Sequence, residues 1–482
     1  MKILSYALLL LVVMLCVIST PLVAEPIAKE MNCLTVDYAE IVKSLEQGRY
    51  RFSRTNNNND QQLPTFDYDD KQPFKNYLAY ARQLILQKNP RAQLPCPINN
   101  EVHKLLAQQS PQTNFTTVVD FISPFELSQK NNDKAVLLIH GLTDSPYVFH
   151  DLASFYYQQG FTVRTLLLPG HATAPADLID VELTQWRKAT NYAINRTLKD
   201  FDNVYLGGFS TGGALILDYL MANEESNKET DKTAKQDVNN KMKDKISGLF
   251  LWSPASKAKS DMAWLAQYVD LIPFLDWVSK GADSDFAKYE SFPLNAGAQV
   301  HNLMSELTAG NVVLPTKIKK IPMFVVVSEH DQTIDTDVTL ALVTQWHHAA
   351  DKMAVNKDTV IYYGDKSKAK QQLSASINLV VPSCNKGELC ANVHDVAHTS
   401  VTNAPSNRHY GLDGNYRNCS HYVGDMVLYK QCKTSDNVIV GEKTAANLQL
   451  DKPLYRLTYN PYYQQMLNEI TIFLQKTGDV AQ

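Results

Sequence analysis

What the 482-residue chain lacks narrows it first. It has no excess of charge of either sign: 46 Lys and Arg stand against 50 Asp and Glu, a net charge of −4. Without a basic surplus to release counterions from a polyanion, no nucleic-acid partner is expected. No Rossmann glycine pattern, P-loop or haem motif occurs, so no cofactor is expected. Internal repeats are absent, and past the first two dozen residues no apolar run could span a bilayer. Collagen-like, coiled-coil and wholly disordered readings fail on composition. Hydrophobic residues make up 44% and charged residues 20%, which suits a globular chain with a substantial core.

Cysteine is sparse too, and its placement points to a compartment. Lys2 precedes an almost unbroken apolar run from Ile3 to Ile18, followed by Pro21 and Leu22-Val23-Ala24. A lone positive charge, an apolar stretch and a small residue at a cleavable position predict a Sec signal, residues 1–24, and a periplasmic or secreted product. The alternative is an uncleaved N-terminal membrane anchor, since the run approaches the ~18–20 residues that cross a bilayer. Of seven cysteines, only Cys16 lies in this segment, where Leu15 argues against lipoprotein processing. The other six are an even set in an exported chain and predict three disulfides. Sequence proximity pairs Cys384 with Cys390 and Cys419 with Cys432, leaving Cys33 for Cys96.

Residues 25–117 read as a helical N-terminal extension, with apolar residues at helical spacing through Phe74–Ile85. Residues 118–482 change character. Short β-rich runs (Val118–Ile122, Ala135–Ile139, Thr162–Leu168, Val204–Gly208, Ile246–Trp252, Phe324–Val327, Thr359–Tyr363) alternate with helical patterns such as Val148–Gln159, Trp186–Leu198, Ala214–Met221 and Val338–Ala350. That alternation predicts an α/β fold with a mostly parallel, doubly wound sheet. Three insertions interrupt it. Residues 223–245 hold 12 charged residues in 23 and predict a solvated loop. Residues 253–320 are too apolar for a loop and predict a helical cap; Trp264, Leu265, Tyr268, Leu271, Ile272, Phe274 and Trp277 suit an acyl chain or a lipid surface, or simply the cap's own core. Residues 365–457 carry four of the cysteines.

One motif carries chemistry. Gly208-Phe209-Ser210-Thr211-Gly212, between an apolar strand and an apolar helix, is a G-x-S-x-G nucleophile elbow. A serine on that strained turn crowds its neighbours, so small residues must flank it. The following helix aims its first N–H groups at a developing oxyanion. Thr211 is the expected first oxyanion donor, and Leu142, after the strand ending in His140-Gly141, the second. His140 is expected to shape that loop without titrating.

The serine needs a base and the base an acid, following it in that chain order reversed: acid first, then histidine. Asp331, in the loop after Met323–Val327, is the expected acid, with Glu329 second and Asp337 expected to cap the next helix. Position alone leaves His394 and His398 both open as base. His394-Asp395-Val396-Ala397-His398 also copies the spacing of a zinc motif, which Cys384 and Cys390 could complete. Their disulfide company and the absence of a clear helix weigh against it, and no metal is expected.

These residues resemble the α/β-hydrolase superfamily, in particular its carboxylesterase, monoacylglycerol-lipase and serine-aminopeptidase-like branch. The resemblance rests on His140-Gly141-Leu142-Thr143-Asp144-Ser145-Pro146, on Leu168-Pro169-Gly170-His171 with Ala174-Pro175-Ala176-Asp177-Leu178, on Trp186, and on Gly208-Phe209-Ser210-Thr211-Gly212-Gly213. It spans about 118–475. Ala172 stands where these proteins carry glycine, and Thr211 where they carry methionine. The resemblance implies a Ser210, Asp331, His398 triad, His398 preceding a C-terminal helix over Tyr462–Leu474. It implies hydrolysis of a small-molecule or lipid ester, with membrane-surface contact through the cap. Aminopeptidase or acyltransferase chemistry on the same triad, and a non-catalytic exported binding module, are the alternatives. Glu290, Asp283 and Asp285 are the acids a peptidase would need. Activity should rise with pH around ~6.5, as for a histidine base. Oligomeric state leaves no signature in the sequence.

Overall fold

The apolar runs become strands in the computed structural model, which describes residues 32–34, 63–110, 116–225, 242–260, 276–281, 283–308, 321–348 and 358–478. In chain order these strands are β1 Glu126–Leu127, β2 Lys134–Ile139, β3 Thr162–Leu166, β4 Asn203–Phe209, β5 Ile246–Trp252 and β6 Trp277–Ser279. Then come β7 Phe292–Pro293, β8 Met323–Ser328, β9 Thr359–Tyr363, β10 Asn378–Val380, β11 Ile439–Gly441 and β12 Leu454–Arg456. Among the described residues eight of them form one sheet in the order β1-β3-β2-β4-β5-β8-β9-β10. Only β1 runs antiparallel to its neighbour.

Period-two alternation explains why these strands read as continuous apolar runs. Leu137, Ile139, Leu249, Leu251, Val325 and Val327 pack on one face with Trp186 and Leu215. Val136, Leu138, Phe250, Trp252, Phe324 and Val326 pack on the other with Leu152, Tyr156, Met466 and Ile470. Both faces are covered by helices, so both must be apolar. Burying each such side chain contributes about 1.5–3 kcal/mol. The helices at Leu183–Asp200, Thr211–Glu225 and Thr336–His348 serve the first face, and those at His150–Gln158 and Tyr463–Thr477 the second.

Three expectations need correction. Val118–Ile122 is a short helix: Asp120 Oδ2 accepts the N–H (2.8 Å) and hydroxyl (2.9 Å) of Thr117, a capping box that an apolar run does not reveal. Cys33–Gln482 forms one compact unit, so the N-terminal extension from Cys33 on packs with the rest. The extension's helix Phe74–Lys88 buries Phe74, Tyr77, Ala81 and Ile85 in the same core as β2, and the Tyr77 hydroxyl donates to Leu167 O (3.0 Å) and accepts from Leu167 N (2.8 Å). The segment 365–457 is not wholly an insertion, since β10 extends the sheet beside β9. Asp335, not Asp337, caps helix Thr336–His348, its Oδ1 accepting the Asp337 N–H (3.2 Å).

All three expected disulfides are present: Cys33–Cys96, Cys384–Cys390 and Cys419–Cys432. The described residues of the cap include the β6–β7 pair and helix Leu294–Thr308, which buries Ala296, Val300, Leu303 and Leu307. Residues 1–24, most of the charged loop, and Trp264, Leu265, Tyr268, Leu271, Ile272 and Phe274 lie outside the described residues; Trp277 is half-buried. No described helix is long and apolar enough to cross a membrane.

Candidate active site

Ser210 sits where β4 meets helix Thr211–Glu225, in the left-handed region at φ 51°. Its N–H donates to Trp252 O (2.9 Å) and its carbonyl accepts from Ala255 N (3.0 Å), so the turn is fixed from both sides. The flanking glycines are steric necessities. A Cβ on Gly212 would lie 1.9 Å from Ile139 O, and one on Gly208 would lie 2.4 Å from Gly213 N. Backbone cannot retreat from such overlaps cheaply.

Asp331, after β8, and His398, in a 3₁₀ turn at His398–Ser400, converge on this serine. His398 Nδ1 lies 2.7 Å from Asp331 Oδ2, and His398 Nε2 lies 3.1 Å from Ser210 Oγ. A carboxylate can only accept, so the proton rests on Nδ1 and Nε2 offers its lone pair to the serine hydroxyl. All three are more than 90% buried. The other Asp331 oxygen accepts the N–H groups of Thr333 (2.7 Å) and Ile334 (2.9 Å), which locks the carboxylate's rotation.

The other candidates are elsewhere. Glu329 turns away to the Asp365 N–H (2.7 Å) and Lys368. His394 is exposed, and its segment is not helical, so it does not share a face with His398. Cys384 and Cys390 are joined to each other, which takes their thiolates out of the zinc set. His409 is buried against Asp285 (2.8 Å).

Of the expected oxyanion donors, Thr211 directly follows the serine, and Leu142 follows Gly141, where a Cβ would lie 3.1 Å from Ser210 Cβ. Among the described residues no protein group accepts the N–H of Leu142 or of Thr211. His140 shapes this loop as expected: its Nε2 accepts the Leu168 N–H (3.1 Å) and its Nδ1–H donates to Gly141 O (2.8 Å). Burial, with the His171 imidazole beside it, pushes its pKa well below 6.5, so it stays neutral. Ala172 adopts φ 58°, the conformation that favours glycine there. Asp144 was not singled out by the sequence. Its Oδ2 has no hydrogen-bond partner among the described residues. That oxygen and Ser210 Cβ both lie within 3.1 Å of the position a Gly141 Cβ would take. An uncompensated carboxylate there would oppose an oxyanion. Burial raises its pKa, and Lys288 3.0 Å from Oδ1 offsets its charge.

The three acids considered for binding an amine are already occupied. Asp285 accepts from His409, Tyr410 (2.7 Å) and the Ala287 N–H (2.9 Å). Glu290 accepts from Ser284 N (2.7 Å) and Tyr416 (2.7 Å), and Asp283 from Ser291 N (2.9 Å) and Glu290 N (2.7 Å). Sequence reasoning also missed Glu442 and Arg456, which meet behind His398 from β11 and β12. Nothing local in the sequence marks them.

Residues 136–364 match the alpha/beta hydrolase family. The chain is similar to a thermostable monoacylglycerol lipase from Bacillus sp. (strain H-257), 30% identical over 88 residues, 18% of this chain and 35% of that lipase. It thus spans about a third of that relative's length. Among solved structures, a metagenome-derived lipolytic enzyme from the LipS and LipT study is 18% identical, covering 51% of this chain and 88% of its own at a TM-score of 0.37. A monoacylglycerol lipase from Paleococcus ferrophilus is 17% identical, covering 50% and 87% at a TM-score of 0.34.

Proposed function

We propose that this member of the α/β-hydrolase superfamily is an exported serine hydrolase that cleaves carboxylic esters, as a carboxylesterase or a monoacylglycerol lipase. The observation carrying the reading is the continuous Ser210–His398–Asp331 hydrogen-bond chain set on a left-handed elbow. Ser210 Oγ attacks the ester carbonyl while His398 Nε2 takes its proton, and His398 then passes that proton to the leaving alcohol. Asp331 holds the imidazole in the required tautomer and supports the imidazolium. The Leu142 and Thr211 N–H groups receive the tetrahedral oxyanion. Water, deprotonated by the same histidine, then attacks the acyl-enzyme, and the histidine returns that proton to Ser210 Oγ as the acid is released. The internal engagement of Asp283, Asp285 and Glu290 favours this over peptidase action, because no carboxylate among those three is left to bind an amine. Three disulfides support an oxidising compartment.

Labelling with a fluorophosphonate, followed by mass-spectrometric mapping, tests it. A single adduct on Ser210, absent from Ser210→Ala, is the expected result, together with ester turnover lost in the same variant. Oxidised, folded protein that takes no label and hydrolyses no ester would refute the reading.

A further inference from the structure

The two loops that carry the acid and the base are joined twice. The first link is the Asp331–His398 hydrogen bond itself. The second runs behind it through two buried charges, Glu442, with no exposed surface, and Arg456, 8% exposed. Glu442 Oε2 accepts the backbone N–H of His398 (3.1 Å). Arg456 grips both carboxylate oxygens, Nε to Oε1 at 2.6 Å and Nη2 to Oε2 at 2.8 Å. Arg456 Nη2 also donates to Thr333 Oγ1 (3.0 Å), and the N–H of Thr333 is one of the two that fix Asp331. The path closes on itself: Asp331, His398, Glu442, Arg456, Thr333, Asp331.

The pair is placed by the small parallel sheet, where Gly441 of β11 stands opposite Arg456 of β12. Glu442 directly follows β11, so the register brings its carboxylate to the guanidinium. The same strands fasten to the base's loop, with His394 N donating to Val440 O (2.9 Å) and Thr399 Oγ1 to Leu457 O (3.2 Å). A buried ion pair is weak evidence of stability, because desolvation consumes most of its attraction. What this pair does own is geometry: each partner spends a hydrogen bond on a different loop of the triad.

We propose that Glu442 and Arg456 are positioning residues, which hold the Asp331 loop and the His398 backbone at the separation that aims His398 Nε2 at Ser210. This rests on the serine-hydrolase reading above. Both side chains are buried, Glu442 wholly so, so the effect falls on kcat and leaves KM nearly alone. A displacement of the base by even ~1 Å can cost about 100-fold in rate.

Three variants test it: Thr333→Val, which deletes only the hydroxyl link; Glu442→Gln, which keeps an acceptor without the charge; and Glu442→Leu/Arg456→Met, which replaces the pair by apolar bulk. Kinetics on a soluble p-nitrophenyl ester are measured beside urea unfolding midpoints. The expected result is kcat falling about 10-fold in the two single variants and about 100-fold in the double. KM should stay within about twofold; unfolding midpoints should stay near the parent's in Thr333→Val and in the double variant, and fall in Glu442→Gln, where the buried Arg456 charge loses its partner, so there kcat is compared well below the midpoint. A folded double variant, or a folded Thr333→Val, with the parent's kcat overturns the proposal, as does a kcat loss that only tracks a lowered midpoint. Should the double variant not fold, the two single variants decide by the same criteria. An inactive, unlabelled parent would sink the hydrolase reading instead. Positioning is then read without activity, from the low-field proton resonance of the Asp331–His398 bond, which must weaken or shift in Thr333→Val. An unchanged resonance overturns the proposal.

Discussion

Mild acid should destabilise this protein strongly, and its buried imidazoles set the size of the effect. Desolvation drives His103 and His171 from 6.5 to about 4. Burial, aided by the imidazoles of His171 and His103 respectively, pushes His140 and His150 well below 6.5. With a depressed histidine pKa, the unfolded chain takes up a proton that the native chain refuses. The stability this confers is complete above pH ~6.5 and is lost as pH falls towards the native pKa. At pH ~5 the difference for a group moved from 6.5 to about 4 is roughly 1.5 units, or about 2 kcal/mol. His103 and His171 together remove about 4 kcal/mol between pH ~7.5 and ~5, and His140 and His150 act in the same direction. Asp283 opposes them: burial raises it from 3.8 to about 6, so native Asp283 gains protons first and returns about 1 kcal/mol by pH ~5. Asp144 and Asp151, which burial also raises, act with Asp283, while His421, lowered by burial to about 4, adds to the imidazoles. The imidazoles win, against a total stability on the order of 5–15 kcal/mol. Urea unfolding followed by tryptophan fluorescence at steps from pH 7.5 to 5 reads the effect directly. His103→Gln keeps a side-chain N–H for Asp120 O, which the imidazole meets at 3.2 Å, yet cannot protonate. It should recover about 2 kcal/mol of the loss at pH ~5. A midpoint level across that range, or a variant with the parent's acid limb, refutes the reasoning.

Other perturbations have defined outcomes. Gly212→Ala sets a Cβ 1.9 Å from Ile139 O, so it should cost about 3 kcal/mol or more and abolish fluorophosphonate labelling of Ser210. Ala172→Gly relieves a left-handed alanine at φ 58°; the relief of about 1–2 kcal/mol exceeds glycine's extra entropy cost, so denaturation should show a gain of up to about 1 kcal/mol. Replacing Cys33 and Cys96 by serine opens a loop with a sequence separation of 63, which should lower stability by about 4 kcal/mol in a calorimetric or urea assay, with ester turnover intact at low temperature.

The central strands were legible because helices cover both faces of the sheet, and residues such as Leu137 and Val136 are apolar on either side. The elbow was legible because its sterics are local: Gly208, Ser210 and Gly212 are neighbours in sequence as in space. Asp331 and His398 were reached by chain order and family likeness, and only their convergence within hydrogen-bond reach separates His398 from His394. Val118–Ile122 misled because five apolar residues fit a strand as well as a capped turn, the capping box lying in Thr117 and Asp120. β10 escaped because three residues carry no periodicity. Glu442 and Arg456 were invisible in principle. Their role arises from two strands pairing far along the chain, and no local pattern encodes that meeting.

That pairing has a consequence in time. Synthesis delivers Ser210 first, then Asp331, then His398, and only afterwards the strands that bring Glu442 to Arg456. The disulfide Cys419–Cys432, whose Cys432 Sγ lies 3.0 Å from Leu454 O, closes around the same late segment. A nascent chain stopped anywhere before Arg456 would hold a nucleophile, an acid and a base, but not the brace between their loops. On the proposed reading, competence to cleave esters would then arrive with the last stretch of the polypeptide.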